Sequence, residues 1–545
     1  TNVTTKVGGA FGDVVMANGL NGIGKINKII SNVDVNVVYP QDPEEIGSLT
    51  AGGFVGQIYN GIITESANLG NVCVNGSTQK SDTYVGGFVG RIDLKTRPIS
   101  NINNDVQIKN SYSVGDLELT SMFSGVNSKN KAGLFVGDIL YDYNSGNSKL
   151  VLRNNYTAGK YIYNSTLSGE TSSKYFDALY NEKVNKGGFL GGFTIDANEK
   201  ITTRTIENAS NLLFANNFYN TDFVPYGNSY MEGLTVQEML FSPSTKLSST
   251  LTESFNGDQA WIIQNNSYPR LSWIDNSKNS IGSNGDITEN NLANSIAGSA
   301  VNGLQIAGTK VQPRTLSTSS SYNLNSSNTS YIINSSGNVT IDATNVNVYF
   351  NNNLSANTLT ATTLDSHSLI YGFKTTTSNA KANITNNYGL IVNSSIKNAL
   401  VENNYGAIYQ VTFNAFDGMN GTIKNVVLSN AGAIDTVVAN SAFNGLSTSN
   451  KAYIAGTNNG TIYRSIIKNN TGFDFAGTNT NGKIASSYIT TKTTAGSNTT
   501  VVATYYDELG KVLTQTIYNS ADSTQKFDLT KFDTNILDVE VFDFV

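Results

Sequence analysis

The chain has 545 residues, 39% of them hydrophobic and 14% charged, with 35 Lys plus Arg against 41 Asp plus Glu for a net charge of −6. That charged fraction is well below the roughly 25% of an average globular protein, and without any basic run it excludes the clustered cations by which nucleic-acid binders neutralise phosphate. A single histidine, His367, and a single cysteine, Cys73, exclude HExxH zinc sites, multi-histidine metal centres, an internal disulfide and cysteine-based metal clusters.

The 28 Tyr and 24 Phe argue for an ordered chain, because disorder by composition goes with few aromatics and high net charge. Cys73 reads as a small buried residue, and no cofactor or metal is expected. Thr1 to Thr5 lacks a charged stretch followed by an apolar run, and no 18-residue apolar segment occurs later, so no transmembrane segment is expected. The sequence opens inside a patterned region, which suits a piece of a longer export product.

Repeats dominate the first half. Gly52-Gly53-Phe54-Val55-Gly56, Gly86-Gly87-Phe88-Val89-Gly90, Gly133-Leu134-Phe135-Val136-Gly137 and Gly187-Gly188-Phe189-Leu190-Gly191 follow a weaker copy at Gly8-Gly9-Ala10-Phe11-Gly12, with last glycines 44, 34, 47 and 54 residues apart. Between them stands a second motif, Asn110-Ser111-Tyr112-Ser113-Val114-Gly115 and Asn154-Asn155-Tyr156-Thr157-Ala158-Gly159, degenerate at Glu65-Ser66-Ala67-Asn68-Leu69-Gly70. Each copy reads as a short strand with inward apolar residues, bracketed by glycines that permit a corner. A unit this short cannot bury its apolar face alone and must stack on its neighbours, which is the logic of a solenoid. Helical signal is confined to Thr235-Val236-Gln237-Glu238-Met239-Leu240, where Thr235 and Glu238 have capping-box spacing.

These paired motifs resemble the GLUG repeat of bacterial surface and secreted proteins. The resemblance continues through Asn217-Phe218-Tyr219, the Thr235 to Leu240 turn, Ala260-Trp261-Ile262-Ile263 and Tyr268-Pro269-Arg270-Leu271-Ser272-Trp273, which are similar to the closing segment that follows such repeats. It covers about residues 8 to 275. It implies a β-solenoid and the context of an adhesin exported as an autotransporter or two-partner exoprotein. Irregular insertions at Leu140 to Lys149 and Leu167 to Lys186 depart from the pattern.

Residues 276 to 330, rich in Ser, Asn, Thr and Gly, read as a linker or as irregular rungs. Period-two alternation resumes at Asn338 to Asp342 and Asn345 to Phe350. A third repeat then follows, Asn387-Tyr388-Gly389, Asn404-Tyr405-Gly406, Asn420-Gly421 and Asn459-Gly460, with glycines 17, 15 and 39 residues apart. Each is a turn opening onto a strand that begins with a buried aliphatic. The last forty residues gather Asp507, Glu508, Asp522, Asp528, Asp533, Asp538, Glu540 and Asp543 among Phe527, Phe532, Phe542 and Phe544. They read as a cap whose charge blocks end-to-end strand addition.

The expected fold class is all-β, a right-handed parallel β-helix (β-solenoid) in two stacked or linked segments. Residues 1–275 form the first solenoid with its closing Trp segment, 276–330 the linker or irregular rungs, 331–505 the second solenoid and 506–545 the acidic cap. With strands about 4.8 Å apart and about 22 residues per coil, about 25 coils would make a rod on the order of 120 Å. Asn and Ser at the corners suit stacked polar ladders.

Catalytic clusters are hard to find. β-helix polysaccharide lyases and glycosidases need converging carboxylates with Arg or Lys on one face. The one tight acidic group, Asp42-Pro43-Glu44-Glu45, follows a turn, and Arg91, Asp93 and Asp138 read as solvated corner residues. His367, in Asp365-Ser366-His367-Ser368, reads as structural or exposed, since no nucleophile motif accompanies it. Tyr112 and Tyr156 read as corner stacking, and Trp261 and Trp273 as sealing the end of the first solenoid. Tyr161, Tyr163, Tyr219, Tyr226 and Tyr230 complete the set of tyrosines that could instead meet sugars or host proteins. No catalytic, cofactor-binding or metal residue is assigned, and the ligand-binding residues are unknown. The function expected is a non-enzymatic, secreted or cell-surface adhesin-like rod that presents inserted loops to a host protein or glycan, or stacks on copies of itself. A carbohydrate-active β-helix enzyme or phage-like depolymerase is the alternative, and a self-assembling surface-layer or fibre protein a third.

Overall fold

The computed structural model describes residues 5–16, 24–38, 48–75, 82–95, 104–119, 130–141, 148–162, 185–195, 211–224, 231–251, 260–274, 310–317, 321–351, 358–374, 381–396, 399–413, 425–439, 451–467, 472–495, 498–506 and 510–519. They are nearly all strand, organised as parallel sheets in which strands distant in sequence are neighbours. This is a parallel β-helix, divided into two compact units with the boundary between Arg314 and Thr315. The stretch expected as linker or irregular rungs is therefore partly coil. Arg314–Leu316, Ser321–Leu324 and Thr329–Ile333 already pair into the second set of sheets.

In the first unit the glycine motifs set the register. Thr5–Gly8, Leu49–Gly52, Thr83–Gly86, Lys131–Gly133 and Asn185–Gly187 form one five-stranded parallel sheet, with Gly8, Gly52, Gly86, Gly133 and Gly187 in one column. The corner after these strands is too tight for a side chain. A Cβ at Gly86 would lie 1.9 Å from the Val89 carbonyl oxygen, a distance only glycine avoids. The turn delivers the next aromatic inward, and Phe54, Phe88, Phe135 and Phe189 stack at 4.6, 4.8 and 4.5 Å, all buried. Each such ring contributes its apolar burial, about 1.5–3 kcal/mol, plus about 0.5–1.5 kcal/mol of ring contact.

The second motif turns another corner. Lys28, Glu65, Asn110, Asn154 and Asn216 occupy equivalent positions with φ between 48 and 58°. Asn is favoured there because its short polar side chain tolerates the left-handed region. Tyr112 and Tyr156 then stack at 5.1 Å, fully buried as expected. Small polar side chains from this strand reach across the interior to the glycine corner. Ser31 Oγ donates to Gly53 O (3.0 Å), Asn68 Nδ2 to Gly87 O (2.8 Å) and Thr157 Oγ1 to Leu134 O (3.1 Å), satisfying carbonyls that the tight corner leaves unpaired.

The last coil, Leu212–Asn220, is followed by Glu232–Leu234, which pairs with it in parallel. The predicted capping box is present. Thr235 N donates to Glu238 Oε2 (2.9 Å) and Glu238 N to Thr235 Oγ1 (3.3 Å). The turn it starts is a π-helical one, Gln237–Phe241, and a short helix, Thr245–Leu251, follows.

The second unit has narrower coils. Tyr331, Val348, Ile370, Ile391, Ile408, Ile434, Ile462 and Ile484 form one buried column through its longer sheet. β-branched side chains suit this stacking. Beside it runs an asparagine ladder. Asn387 Nδ2 donates to Asn404 Oδ1, Asn404 Nδ2 to Asn430 Oδ1 and Asn430 Nδ2 to Asn458 Oδ1, each at 2.8 Å and all buried. The in-register third copy is thus Asn430-Ala431-Gly432, not Asn420-Gly421, which lies outside the described residues. At the fourth copy the ladder residue is Asn458, one before the Asn459 of the motif. The parallel stack ends in an antiparallel meander, Ser487–Ala495, Asn498–Tyr506 and Val512–Asn519, so the second solenoid stops short of residue 505. The acidic residues of the expected cap lie outside the described residues.

The first unit's glycine sheet has five strands and the second unit's shorter sheet eight among the described residues, about half of the roughly 25 coils at about 4.8 Å each expected from sequence. The first unit's coils are 34 to 54 residues long between equivalent glycines, so the expected 22 holds only for the second unit, where ladder steps are 17, 26 and 28.

Candidate functional site

The densest polar cluster lies beside the glycine sheet of the first unit. Two columns face each other seven residues apart in every coil, Lys6 with Asp13, Thr50 with Gln57, Tyr84 with Arg91 and Lys131 with Asp138. Asp138 is fully buried. Its Oδ1 accepts from Lys131 Nζ (2.7 Å), its Oδ2 from Arg91 Nε (3.0 Å), and Thr194 Oγ1 lies within 3.0 Å of both oxygens. The Arg91 guanidinium covers the Tyr84 ring at 4.2 Å. One coil away, Gln57 Nε2 donates to Asp93 Oδ2 (3.1 Å), and Lys6 Nζ binds Asp13 (2.7 Å) and the Tyr59 hydroxyl (2.8 Å).

Burial pushes the Lys131 ammonium below the ordinary lysine value, with Asp138 opposing the shift and Arg91 adding to it. Burial also lifts the Tyr84 hydroxyl. The expectation that Asp93 and Asp138 are solvated is corrected, because they are 2% and 0% exposed. Stacking and the corner turn bring Arg91 and Lys131 onto Asp138, and the Gln57 amide and Lys95 main-chain N–H onto Asp93, and that pairing makes burial tolerable. A carboxylate whose oxygens are both engaged by fixed cations anchors strands. It presents no lone pair toward solvent for a substrate proton.

A second group ties the closing segment to the coils. Trp261 Nε1 donates to Asn110 Oδ1 (3.3 Å), with its ring 6.1 and 5.6 Å from Tyr112 and Tyr156. Tyr156 donates its hydroxyl to Pro269 O (2.5 Å), Trp273 Nε1 donates to Glu65 O (3.0 Å) and Lys310 Nζ to Leu69 O (2.8 Å). The two tryptophans therefore clasp successive coils along one corner instead of sealing the end, where Glu232–Leu234 pairs onto the last coil. Below them Lys160 Nζ pairs with Asp116 Oδ2 at 2.7 Å, both nearly buried. Burial lowers the Lys310 pKa, opposed by Asp116.

In the second unit Arg464 pairs with Asp435 through Nε (2.9 Å) and Nη2 and covers the Tyr463 ring. At the Asp365 turn, His367 gives the carboxylate its main-chain N–H (3.0 Å), while Ser368 Oγ donates straight to Asp365 Oδ2 (2.6 Å) and accepts from Val346 N (2.9 Å). A triad needs carboxylate, imidazole and hydroxyl in that order, and this hydroxyl bonds the carboxylate directly. Cys73 is half-buried, not buried, and burial together with Glu118 pushes its thiol up to about 12. That makes it a poor nucleophile. Among the described residues no three His, Cys, Asp or Glu side chains gather to hold a metal ion.

Tyr161 is buried and donates to Ala132 O and Gly187 O, and Tyr219 is buried at the last coil. Tyr163, Tyr226, Tyr230 and the Asp42 to Glu45 group lie outside the described residues. Missed from sequence were Lys131, Lys160, Asp116 and the Asp435–Arg464 pair. The signal for Lys131 was its place two residues before Gly133, equivalent to Lys6 before Gly8. No helix among the described residues is long and apolar enough to cross a membrane. Set against family models, curated proteins and solved structures, the chain matches none.

Proposed function

We propose that this chain is a non-catalytic, secreted or cell-surface protein of the GLUG-repeat kind, an adhesin-like coil scaffold that holds chain inserted at its corners toward a host protein or glycan. The observation that carries the reading is that register is kept across coils of unequal length. Gly8, Gly52, Gly86, Gly133 and Gly187 stay in one column although 44, 34, 47 and 54 residues separate them. A scaffold built this way accepts variable chain between strands without repacking its core. The engagement of Asp138, Asp116 and Asp435 by cations of their own or neighbouring coils supports a structural use of the buried acids. The test is to coat beads with the purified chain and measure retention on host cells and immobilised polysaccharides, together with released reducing or unsaturated ends. Retention without release is expected. Release of ends would overturn the non-catalytic reading in favour of a β-helix depolymerase.

A further inference from the structure

The corner just outside the asparagine ladder carries a strip of partly exposed side chains. The main-chain N–H groups of Tyr405, Ala431 and Asn459 donate to the carbonyls of Asn387, Asn404 and Asn430 at 2.8 Å each. Residues 388, 405, 431 and 459 therefore form one column. Tyr388 and Tyr405 are partly exposed and stack at 4.8 Å with their planes 12° apart. The next coil puts only the Ala431 methyl in this position.

On the other flank of the ladder, Asn386, Asn403 and Ser429 are also in register and partly exposed. Asn403 Nδ2 donates to Asn386 Oδ1 at 3.1 Å, which orients an amide row parallel to the ring stack. None of these side chains is charged.

We propose that this strip binds a neutral oligosaccharide, deepening the non-catalytic binding reading above on which it rests. Aromatic rings offer apolar surface to the C–H faces of a pyranose while keeping a polar tip, and amides and hydroxyls both donate to and accept from sugar hydroxyls. An extended peptide fits less well, because it would need an open sheet edge, and the main chain here is already paired coil to coil. The strip holds no cation to receive a sulfate or uronate, and Asp365, which precedes Tyr388 in the same column and accepts from Ser368 Oγ and the main-chain N–H groups of Asn345 and His367, would repel one, which sets a neutral glycan above a sulfated or uronic one.

The experiment immobilises dextran, mannan, galactan and heparin and measures retention of the full chain and its Tyr405→Ala, Tyr405→Leu, Tyr405→Phe and Tyr388→Ala/Tyr405→Ala variants. Thr340→Ala, at an exposed strand position, serves as control, and far-UV circular dichroism checks folding. The expected result is retention on at least one neutral polysaccharide and not on heparin. Affinity should fall by about ten-fold or more in Tyr405→Ala and the double variant and stay near wild type in Tyr405→Phe and Thr340→Ala. Should the alanine variants unfold, Tyr405→Leu keeps the bulk and removes the ring, and the same loss is expected of it. No retention on any neutral polysaccharide, or unchanged retention in folded variants lacking the ring, overturns the inference. If the coated beads still adhere to host cells in that case, the scaffold reading stands and only the glycan strip falls. Cleavage of a polysaccharide would remove the scaffold reading itself.

Discussion

Replacing Asn404 by alanine removes the middle of the ladder and leaves its neighbours facing a void. The Asn404 amide accepts from Asn387 Nδ2 and donates to Asn430 Oδ1, both at 2.8 Å, and all three residues are 0% exposed. The substitution strands one buried donor and one buried acceptor. Leaving such a group unsatisfied costs about 1–3 kcal/mol, so the pair costs about 2–6 kcal/mol. Asn479, at the exposed end of the same row, accepts from Asn458 Nδ2 (3.0 Å); its removal strands one donor instead of two groups and opens that donor to water, so Asn479→Ala should cost about 1 kcal/mol or less. Urea unfolding followed by far-UV circular dichroism measures both, with hydrogen exchange at Tyr405 and Gly406 localising the loss. These two amides share the Asn387 carbonyl as acceptor and should lose protection first. If Asn404→Ala cost less than about 1 kcal/mol, or no more than Asn479→Ala, the ladder would be decoration on a stack held by its aliphatic column.

Gly86→Ala should prevent the first unit from folding, a loss above about 4 kcal/mol, because the new Cβ would sit 1.9 Å from the Val89 carbonyl oxygen. Gly12→Ala, whose nearest neighbour is 3.2 Å away, should be tolerated, and limited proteolysis of the two side by side decides. Glu65→Asn should stabilise by about 1 kcal/mol, since φ at Glu65 is 48° and the exposed Lys28 contact at 3.8 Å contributes little. Equal or lower thermal stability would count against strain at that corner. Alkaline stability has a sign that follows from burial, which holds the Tyr84, Tyr112 and Tyr156 hydroxyls above their ordinary 10.0. The folded state then keeps protons the unfolded state loses, so this contribution is complete below pH 10 and is lost as pH rises beyond it. Lys131 and Lys310, lowered from 10.5, act oppositely, because the unfolded chain binds more protons until pH 10.5 and stability rises toward that pH. The melting temperature should therefore hold or rise slightly up to pH 10 and then drop, with the buried tyrosines' tyrosinate absorbance appearing only as the chain unfolds. Full ionisation of these tyrosines in folded protein would refute the assignment.

The repeats made the solenoid legible because a stacked coil writes its corners in residue types that cannot be exchanged. Glycine appears where a Cβ would strike a carbonyl, Asn where the backbone turns left-handed, and Phe or Tyr where a ring meets its copy one coil away. Those constraints are local, so Gly86-Gly87-Phe88 and Asn110-Ser111-Tyr112 announce them without reference to the rest of the chain. What local pattern does not carry is which residues meet across 17 to 62 residues of intervening chain. Asp138 looks like any corner acid until register lays Arg91 beside it and the turn returns Lys131 to it. Asn430-Ala431-Gly432 lacks the motif's usual Tyr and is identified only by its place above Asn404. The tryptophans looked terminal by sequence order, yet the chain doubles back and lays them along the coils at Glu65 and Asn110. Side-chain type sets what each corner tolerates, whereas burial and pairing belong to the summed geometry of coils whose lengths differ. Desolvation and hydrogen bonding act on neighbours in space, and only the tertiary structure determines who those neighbours are.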